Sequence, residues 1–279
     1  MIVVVGDVIA DIAVRPTGPI AHGTDTPSAI AVRRGGSAAN VAVSLAGLGS
    51  PVRFVGAVGN DPFGDLLVIE LQSAGVEAIV SRSVKPTGTI VVLIDHDGER
   101  SFLTQRGAGN DVTADESVLH GATWLHVPAY CLSADPLRTT ATALLQLARE
   151  RGVSTSIDCS SVSLIEEVGA EAFLGWVHDV QPTVVFANEQ EGTALDVRES
   201  GLDSIVVVKH GANPVELMEP GREPQEFAVE PVDNVVDTTG AGDAFAAGFI
   251  NAFQQRHGAT GSVLAAVSVA RSHLLARGM

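Results

Sequence analysis

Residues 237–249 read Asp237-Thr238-Thr239-Gly240-Ala241-Gly242-Asp243-Ala244-Phe245-Ala246-Ala247-Gly248-Phe249, and they are the most informative segment of the chain. Asn234-Val235-Val236 before them is typical of a strand, and the alanines that follow Gly242 are typical of a helix. Glycines allow backbone N–H groups to approach a ligand, and a helix N-terminus directs its unpaired N–H groups and positive dipole end the same way. The segment therefore predicts an anion hole at residues 240–243, suited to the charge on a phosphoryl group during transfer.

Asp243 lies in the first turn of this predicted helix, next to the anion hole. A carboxylate there can accept the proton of a hydroxyl nucleophile while the hole holds the phosphate. A single Asp in a first turn is more often only a complement to the helix dipole. Asp243 directly follows Gly240, Ala241 and Gly242. We therefore interpret Asp243 as a catalytic base and the three preceding residues as part of the catalytic loop.

Short β-branched runs alternate with stretches rich in Ala and Leu along the whole chain. Strands buried on both faces are predicted at residues 3–5, 52–58, 124–127, 154–157, 184–186 and 205–208. Helices are predicted at residues 38–48, 63–73, 136–151, 189–195, 241–255 and 263–275. The alternation indicates an α/β fold with a mainly parallel central sheet and helices on both sides, in which ligands bind at the carboxyl ends of the strands.

Two segments interrupt this alternation. Residues 12–34 contain no convincing helix, and residues 88–105 resemble a hairpin in which Asp97-Gly98 marks the turn. Extra antiparallel strands in a parallel α/β domain form either a lid or an extension of the main sheet at its edge. The pattern favours a lid and leaves the edge extension open.

The composition excludes several classes of function. Of the 279 residues, 46% are hydrophobic and 18% are charged, which suits a single large domain over residues 1–279. The net charge of −16 at pH 7 disfavours nucleic acids and anionic membrane surfaces as partners. Cys131 and Cys159 are too few for a disulfide framework, and the N-terminus does not resemble a targeting signal. We therefore expect a cytoplasmic protein with two buried thiols.

Four motifs together resemble those of the PfkB or ribokinase family of sugar kinases. The segment around Asp243 is the most specific of them. Arg34-Gly35-Gly36-Ser37-Ala38-Ala39-Asn40 is similar to the N-terminal signature of that family, a double glycine followed by an Asn that opens a helix. Asn188-Glu189-Gln190-Glu191 is similar to its Asn-x-x-Glu motif, and Val208-Lys209-His210-Gly211 to a late loop on the nucleotide side.

The resemblance implies a ribokinase-like, Rossmann-type three-layer sandwich with a small β lid that covers the substrate. It implies transfer of the γ-phosphate of ATP, with Mg²⁺, to a hydroxymethyl group of a small sugar, with Asp243 as base. Ribose, fructose or a keto-sugar acid is the preferred substrate class, and a nucleoside is the alternative. Relatives commonly form homodimers in which two lids clasp each other, so that the exposed edges of the strands are covered.

The resemblance also assigns a substrate site. Asp11 follows the first predicted strand, where a short carboxylate can bind two sugar hydroxyls. Gly35 and Gly36 allow a ligand to approach the backbone, and Asn40 offers both a donor and an acceptor to a polyol. Arg106 leaves the predicted hairpin towards the cleft, where it would meet substrate or phosphate, although a solvated Arg is an equal alternative.

On the nucleotide side, the matching residues are Asn188, Glu191, Lys209, Gly211 and Thr239. Asn188 and Glu191 also fit a helix-capping arrangement, and both roles are compatible. The resemblance suggests that Glu191 acts on Mg²⁺ through water, which is reasonable because Mg²⁺ keeps its waters tightly. Lys209 is one of only two lysines in an acidic chain, so its ammonium is expected either to extend to solvent or to meet an anion.

Asp237 and Thr239 resemble positions that bind a monovalent cation such as K⁺ in many family members. Asp237 has the alternative role of holding the glycine loop through backbone N–H groups. The sequence departs from the family pattern twice, because it ends at Met279, soon after the last predicted helix, and has Pro214 where a second glycine is common. These departures put cation activation and the adenine pocket in question.

Other nucleotide-dependent and hydrolytic classes lack their motifs. No Gly-x-Gly-x-x-Gly follows a predicted strand, neither lysine belongs to a Walker motif, and no serine forms a nucleophile elbow. The remaining non-enzyme alternative is a sugar-sensing protein that kept the fold and lost the chemistry. Phosphate transfer to a sugar distinguishes the two.

Overall fold

The strands form two separate sheets in the computed structural model, which describes residues 1–233, 235 and 237–277. In chain order the described strands are β1 (Ile2–Val5), β2 (Ile9–Pro16), β3 (Ser28–Gly35), β4 (Val52–Gly59), β5 (Glu77–Ser83), β6 (Thr89–Ile94), β7 (Arg100–Gln105), β8 (Trp124–Pro128), β9 (Ser154–Asp158), β10 (Val184–Asn188), β11 (Ile205–Lys209), β12 (Val215–Met218) and β13 (Gln225–Phe227). The described helices are α1 (Ser37–Gly47), α2 (Pro62–Ser73), α3 (Leu137–Glu150), α4 (Val162–Val168), α5 (Ala170–Val180), α6 (Glu189–Ala194), α7 (Ala241–Gln254) and α8 (Gly258–Arg277).

The large sheet has the strand order β13-β12-β11-β10-β9-β8-β1-β4-β5. Its strands from β11 to β5 pair in parallel, and β12 and β13 add an antiparallel edge. Alternate residues of one strand enter different cores: Val3 and Val5 pack with helices α3 and α5, whereas Ile2 and Val4 pack with α1, α7 and α8. The predicted three-layer α/β fold is therefore confirmed.

All six predicted strands and all six predicted helices are present, with ends that differ by a few residues. Two helices were not predicted, α4 and α5, which meet at Gly169 with a φ of 84° and are each short. Strands β5, β12 and β13 were also missed. The strand predicted at residues 234–236 cannot be compared, because Asn234 and Val236 lie outside the described residues.

The small sheet has the order β3-β2-β6-β7 and contains both predicted insertions. Strands β6 and β7 form the predicted hairpin, and the Asp95 carboxylate closes its turn by accepting the N–H groups of Asp97 and Glu99 at 3.0 and 2.9 Å. Because these four strands pair with one another and not with the large sheet, they form a separate layer rather than an edge extension. We call this sheet the lid.

The strand registers divide the lid side chains between two faces. The strand registers place Asp11, Ile90 and Arg100 on one face, which is the face that contacts the body of the protein. The opposite face, which we call the outer lid face, carries an apolar row on neighbouring strands. Its members are Ile12, Val14, Ile30, Val32, Val91, Leu93 and Leu103. Ile30 and Leu103 are 64% and 59% exposed, so much of this apolar surface is open to solvent.

Helix α8 is long and apolar enough, by length and composition alone, to cross a membrane over Gly258–Ala276. In the fold it lies against α7, and Val263 and Ala266 on its inner side are fully buried in the core. The buried face shows that α8 belongs to the helical layer of the domain. Cys131 and Cys159 are buried free thiols, as predicted.

Candidate active site

A cleft of about 750 Å³ opens at the carboxyl ends of strands β9, β10 and β11, beside the N-terminus of α7. Most of the predicted nucleotide and catalytic residues line it, namely Asn188, Glu191, Lys209, Gly211, Gly240, Ala241, Gly242 and Asp243. The sheet topology brings them together, since parallel strands present their carboxyl ends at one edge.

Asp243 is held from both sides by the first turn of helix α1. Its Oδ1 accepts a hydrogen bond from the Ser37 hydroxyl at 2.7 Å, and its Oδ2 accepts one from the Asn40 side-chain amide at 2.9 Å. Desolvation of the carboxyl group raises the pKa of Asp243 to about 6, although these two hydrogen bonds oppose the rise. The side chain also lines the cleft. A carboxylate with these properties is suited to take a proton near neutral pH.

Asn40 connects this carboxylate to the lid. While its Nδ2 donates to Asp243, its Oδ1 accepts a hydrogen bond from the Arg34 guanidinium at 2.8 Å. The amide was predicted to offer its donor and acceptor to a polyol, but in this structure both are used within the protein. Asn40 therefore orients Asp243.

The glycine loop begins α7 with Gly240 in the left-handed conformation, at a φ of 79°. This turn lets the Ala241 N–H donate to the Thr238 carbonyl at 3.1 Å, so Ala241 does not supply a free N–H to the predicted anion hole. The N–H groups of Gly242 and Asp243 belong to the first turn, which has no acceptors within the helix. A Cβ on Gly242 would lie 3.3 Å from the Lys209 ammonium, so that charge stands directly beside the helix N-terminus.

Lys209 is fixed by an aspartate that the sequence interpretation missed. Its Nζ lies 2.9 Å from Asp158 Oδ2, with only 16% and 11% of the two side chains exposed. Burial alone would lower the pKa of Lys209, but the charge and hydrogen bond of Asp158, followed by the charges of Glu191 and Asp243, raise it. The ammonium therefore stays protonated and meets anions rather than solvent. Asp158 ends β9, so its position after a buried strand was the available signal.

Asn188 and Glu191 form the predicted capping box. The Glu191 N–H donates to the Asn188 side chain at 2.9 Å, and the Asn188 N–H donates to Glu191 Oε2 at 2.8 Å. Glu191 is only 2% exposed, and burial together with the charge of Asp158 raises its pKa to about 7. Capping and a role towards a bound cation remain compatible, because this carboxyl group faces the cleft and positive charge would favour its ionised form.

Asp237 and Thr239 contact the lid instead of opening towards the cleft. Arg100, at the start of β7, donates to Thr239 Oγ1 at 2.8 Å and lies 3.0 Å from Asp237 Oδ1. Asp237 also accepts the Thr239 N–H at 2.9 Å, so the loop-holding alternative describes it correctly. Thr238, rather than Thr239, lines the cleft, which corrects the predicted nucleotide contact of Thr239.

The predicted substrate residues lie on the lid side of Asp243. Asp11 is part of the lid strand β2 itself, and a Cβ on Gly35 would approach its Cβ to 3.1 Å. Gly36 has a φ of 96°, and a Cβ there would lie 2.5 Å from the Asp7 carbonyl oxygen. The protein's own backbone thus already requires a glycine at position 36, and the predicted approach of a ligand there stays a prediction.

Arg106 does not reach the main cleft. Its guanidinium stacks over the Tyr130 ring, 4.0 Å from the ring centroid, and it lines a second, small cavity with Asp7 and Asn110. This corrects the predicted direction of Arg106. Burial raises the pKa of the Asp7 carboxyl group, and Arg106 and the Ala38 N–H partly offset that effect.

Several site residues had no motif to mark them. Ser37 lies within the N-terminal signature but had no predicted role. Arg100 and His273 belong to none of the four motifs. Each acts through a partner that is distant in the chain: the Ser37 hydroxyl donates to Asp243 and His273 Nε2 lies 2.9 Å from the Thr239 carbonyl oxygen. Contacts between residues so far apart in the chain can be found only in the folded molecule.

The three-layer fold, the separate β lid and an aspartate at a glycine-lined helix N-terminus define a kinase of the ribokinase fold. Comparison with known proteins agrees. The family described as pfkB family carbohydrate kinase matches residues 1–278. The chain belongs to this family and is a phosphotransferase that acts on an alcohol group of a sugar.

Two named relatives and one solved structure are similar to this chain over most of its length. An ATP-dependent ribose-1-phosphate kinase of Halopiger xanaduensis is 38% identical over an alignment 229 positions long, which covers 77% of this chain and 72% of the relative. A fructokinase of Escherichia coli is 31% identical over an alignment 245 positions long, which covers 77% of this chain and 75% of the relative. The solved fructokinase of Xylella fastidiosa with bound ATP has a TM-score of 0.80 at 24% identity, over 98% of this chain and 89% of that one.

The pH dependence of phosphotransfer should report the titration of Asp243. A base must be deprotonated to act, so kcat/KM should rise as the pH passes through about 6 and level off above it. Ser37→Ala removes a hydrogen bond that favours the ionised carboxylate. It should shift the acid limb of the profile upward by about one pH unit, since a hydrogen bond to a charged group contributes roughly 1.5 kcal/mol.

Ser44→Ala, in the same helix but away from Asp243, is the matched control and should leave the profile unchanged. Glu191 titrates in a similar range but does not touch Ser37, so a shift that depends on Ser37 identifies Asp243 as the titrating group. An acid limb that stays in place in Ser37→Ala would contradict this assignment.

Proposed function

We propose that this protein is an ATP-dependent kinase that phosphorylates a hydroxymethyl group of a small furanose sugar, with Asp243 as the general base. The observation that carries the proposal is the geometry at the N-terminus of α7. There, one carboxylate of raised pKa is oriented by Ser37 and Asn40, while the Lys209 ammonium stands beside Gly242. A base and a site for negative charge are therefore adjacent.

The reaction follows from these groups. Asp243 accepts the proton of the attacking sugar hydroxyl as its oxygen bonds to the γ-phosphorus of ATP, and the bond from that phosphorus to the β–γ bridging oxygen breaks, releasing ADP. The N–H groups of Gly242 and Asp243 stabilise the negative charge on the transferring group, as does the Lys209 ammonium. Asp158 fixes that ammonium in place, and Asn40 keeps the base pointing at the reacting hydroxyl.

We place the nucleotide in the remaining part of the cleft. Apolar side chains from the segment after β13 and from α8 line its far end and offer a surface for an adenine ring, among them Val232, Val267 and Leu274. Glu191, Asn188 and Asp158 present oxygen atoms near the phosphate end, which is the donor type that Mg²⁺ prefers. When bound, Mg²⁺ neutralises phosphate charge; Glu191 would hold it through water.

Ribose 1-phosphate is the substrate that we favour, and fructose is the second candidate. The first rests on the 38% identical relative named for that substrate, the second on relatives named as fructokinases. One arginine supports an anionic sugar, because the Arg34 guanidinium reaches the Asn40 amide next to the base. Guanidinium groups suit the geometry of phosphate oxygens.

A substrate panel tests this assignment directly. Purified protein with ATP and Mg²⁺ should release ADP with ribose 1-phosphate at a kcat/KM at least about tenfold above that with fructose, ribose or adenosine. Preference for fructose would support the second candidate, and preference for adenosine would favour a nucleoside kinase. Sugar binding without ADP release for any compound would contradict the kinase proposal and indicate a sugar sensor.

Asp243→Asn should abolish most turnover without loss of folding. The amide keeps the shape and can bond to Ser37 and Asn40, but it cannot accept a proton, so kcat should fall by about 10²–10⁴. ATP and sugar affinities, measured by calorimetry, should stay close to those of the original protein. Asp11→Ala is the contrast, because loss of a substrate contact on the lid should raise the sugar KM more than it lowers kcat. Turnover at the original rate in Asp243→Asn would remove it from the base role.

We also propose a homodimer formed through the outer lid face. The row that includes Ile30, Val32 and Leu103 is an exposed apolar patch, and strands β3 and β7 are edge strands of the lid. Both features favour contact with a second copy of the same surface. The cytoplasmic location expected from the sequence stays a prediction.

Light scattering coupled to gel filtration tests the dimer. The original chain should have the mass of a dimer at micromolar concentration, and Leu103→Asp should have the mass of a monomer because it buries a charge in the interface. Leu264→Asp replaces a similarly exposed leucine on α8, 56% exposed, and should remain a dimer. A monomeric original chain would overturn the proposal.

A further inference from the structure

The loop that precedes α7 has three oxygen atoms that point away from the cleft: Asp237 Oδ1, Thr239 Oγ1 and the Thr239 carbonyl oxygen. The family resemblance assigns Asp237 and Thr239 to a monovalent cation. Such an ion is coordinated by oxygen lone pairs, and N–H donors cannot coordinate it. Whether these residues fit a cation therefore depends on what already contacts their oxygens.

In this structure, nitrogen groups contact all three oxygens. Arg100 donates to Thr239 Oγ1 at 2.8 Å and lies 3.0 Å from Asp237 Oδ1, so its planar guanidinium spans both residues. The Thr239 N–H donates to the same Asp237 oxygen at 2.9 Å, and His273 Nε2 lies 2.9 Å from the Thr239 carbonyl oxygen. The residues present do not fit a bound monovalent cation while Arg100 is in place, since a second positive charge would face the guanidinium.

The electrostatics of Asp237 agree with this arrangement. Partial burial works against its ionised form, but hydrogen bonds from Thr239 and Arg100 and the charge of Arg100 outweigh it and hold the pKa of Asp237 well below its usual value. The two side chains are 21% and 26% exposed, so the ion pair is partly shielded from solvent. An ionised Asp237 and a guanidinium thus balance each other locally.

We propose that Arg100 is a built-in cation that takes the place of a dissolved monovalent ion, so that this kinase works without potassium activation. Arg100 is a positioning residue: it touches no reacting atom, but it fixes the loop from which Gly240, Gly242 and Asp243 follow directly. His273 supports the loop from the other side, because a Cβ on Gly240 would lie 3.2 Å from its Nε2. The proposal rests on the kinase function proposed above.

The original protein should be indifferent to the type of monovalent cation. Turnover in about 100 mM KCl and in choline chloride of equal ionic strength should agree within about twofold. The melting temperature, which requires no substrate, should also be the same in the two salts, because an ion that does not bind the native state does not stabilise it. Activation by K⁺ of about tenfold, or a melting temperature several degrees higher in KCl, would overturn the proposal.

Removal of the guanidinium should make the activity depend on K⁺. Arg100→Ala should lose about tenfold to a hundredfold in kcat, with a smaller change in the KM for ATP, because the loop is displaced rather than the nucleotide contacts removed. K⁺ or added guanidinium ion should restore several-fold of that loss, and K⁺ should raise the melting temperature of the variant. Arg100→Lys keeps the charge but loses the two-point contact. Its kcat should therefore lie between those of the original protein and Arg100→Ala.

Arg138→Ala removes an exposed arginine with an ordinary surface ion pair to Asp135 and is the matched control; it should stay active and indifferent to K⁺. Full activity in Arg100→Ala, or a loss that neither K⁺ nor guanidinium relieves in activity or melting temperature, would overturn the proposal. The melting measurements separate this outcome from failure of the kinase proposal, because they need no phosphotransfer.

Discussion

The hydrogen bonds from Ser37 and Asn40 to Asp243 join the first turns of helices α1 and α7, and the proposed active site depends on that junction. A carboxyl group withdrawn from water tends to remain protonated, while two donors favour its ionised form. The balance leaves a pKa of about 6, high enough for a useful base and low enough for ionisation at neutral pH. Lys209 adds a positive charge beside the N-terminus of α7, and Asp158 keeps that ammonium from turning to solvent.

Much of the architecture could be predicted because the central strands are buried on both faces and therefore appear as short β-branched runs. Where one face is exposed, that signal fades: the edge strand β5 alternates exposed and partly buried residues, and β13 has three residues. Helices α4 and α5 were missed because each spans few turns and Gly169 separates them. The hairpin was predictable because Asp-Gly specifies its turn locally.

The site residues that the sequence predicts correctly are those whose neighbours in the chain indicate their role. The glycine loop, the Asn188 and Glu191 box and Lys209 after a buried strand are of this kind. Contacts across the fold were not accessible in the same way. Nothing near Arg100 in the chain indicates that it meets Asp237, and nothing near Arg106 indicates that it stacks on Tyr130 instead of entering the cleft. Such partners are chosen by tertiary packing.

Asp243 and the side chains that orient it are more than two hundred positions apart, 206 for Ser37 and 203 for Asn40. Closing so long a loop costs chain entropy before any contact compensates for it, so we expect this pair of helices to meet late in folding. A chain whose sheet and helices have formed separately still lacks an oriented base. Recovery of enzymatic turnover during refolding should therefore time the final docking of α1 against α7, whereas circular dichroism should time the earlier growth of secondary structure.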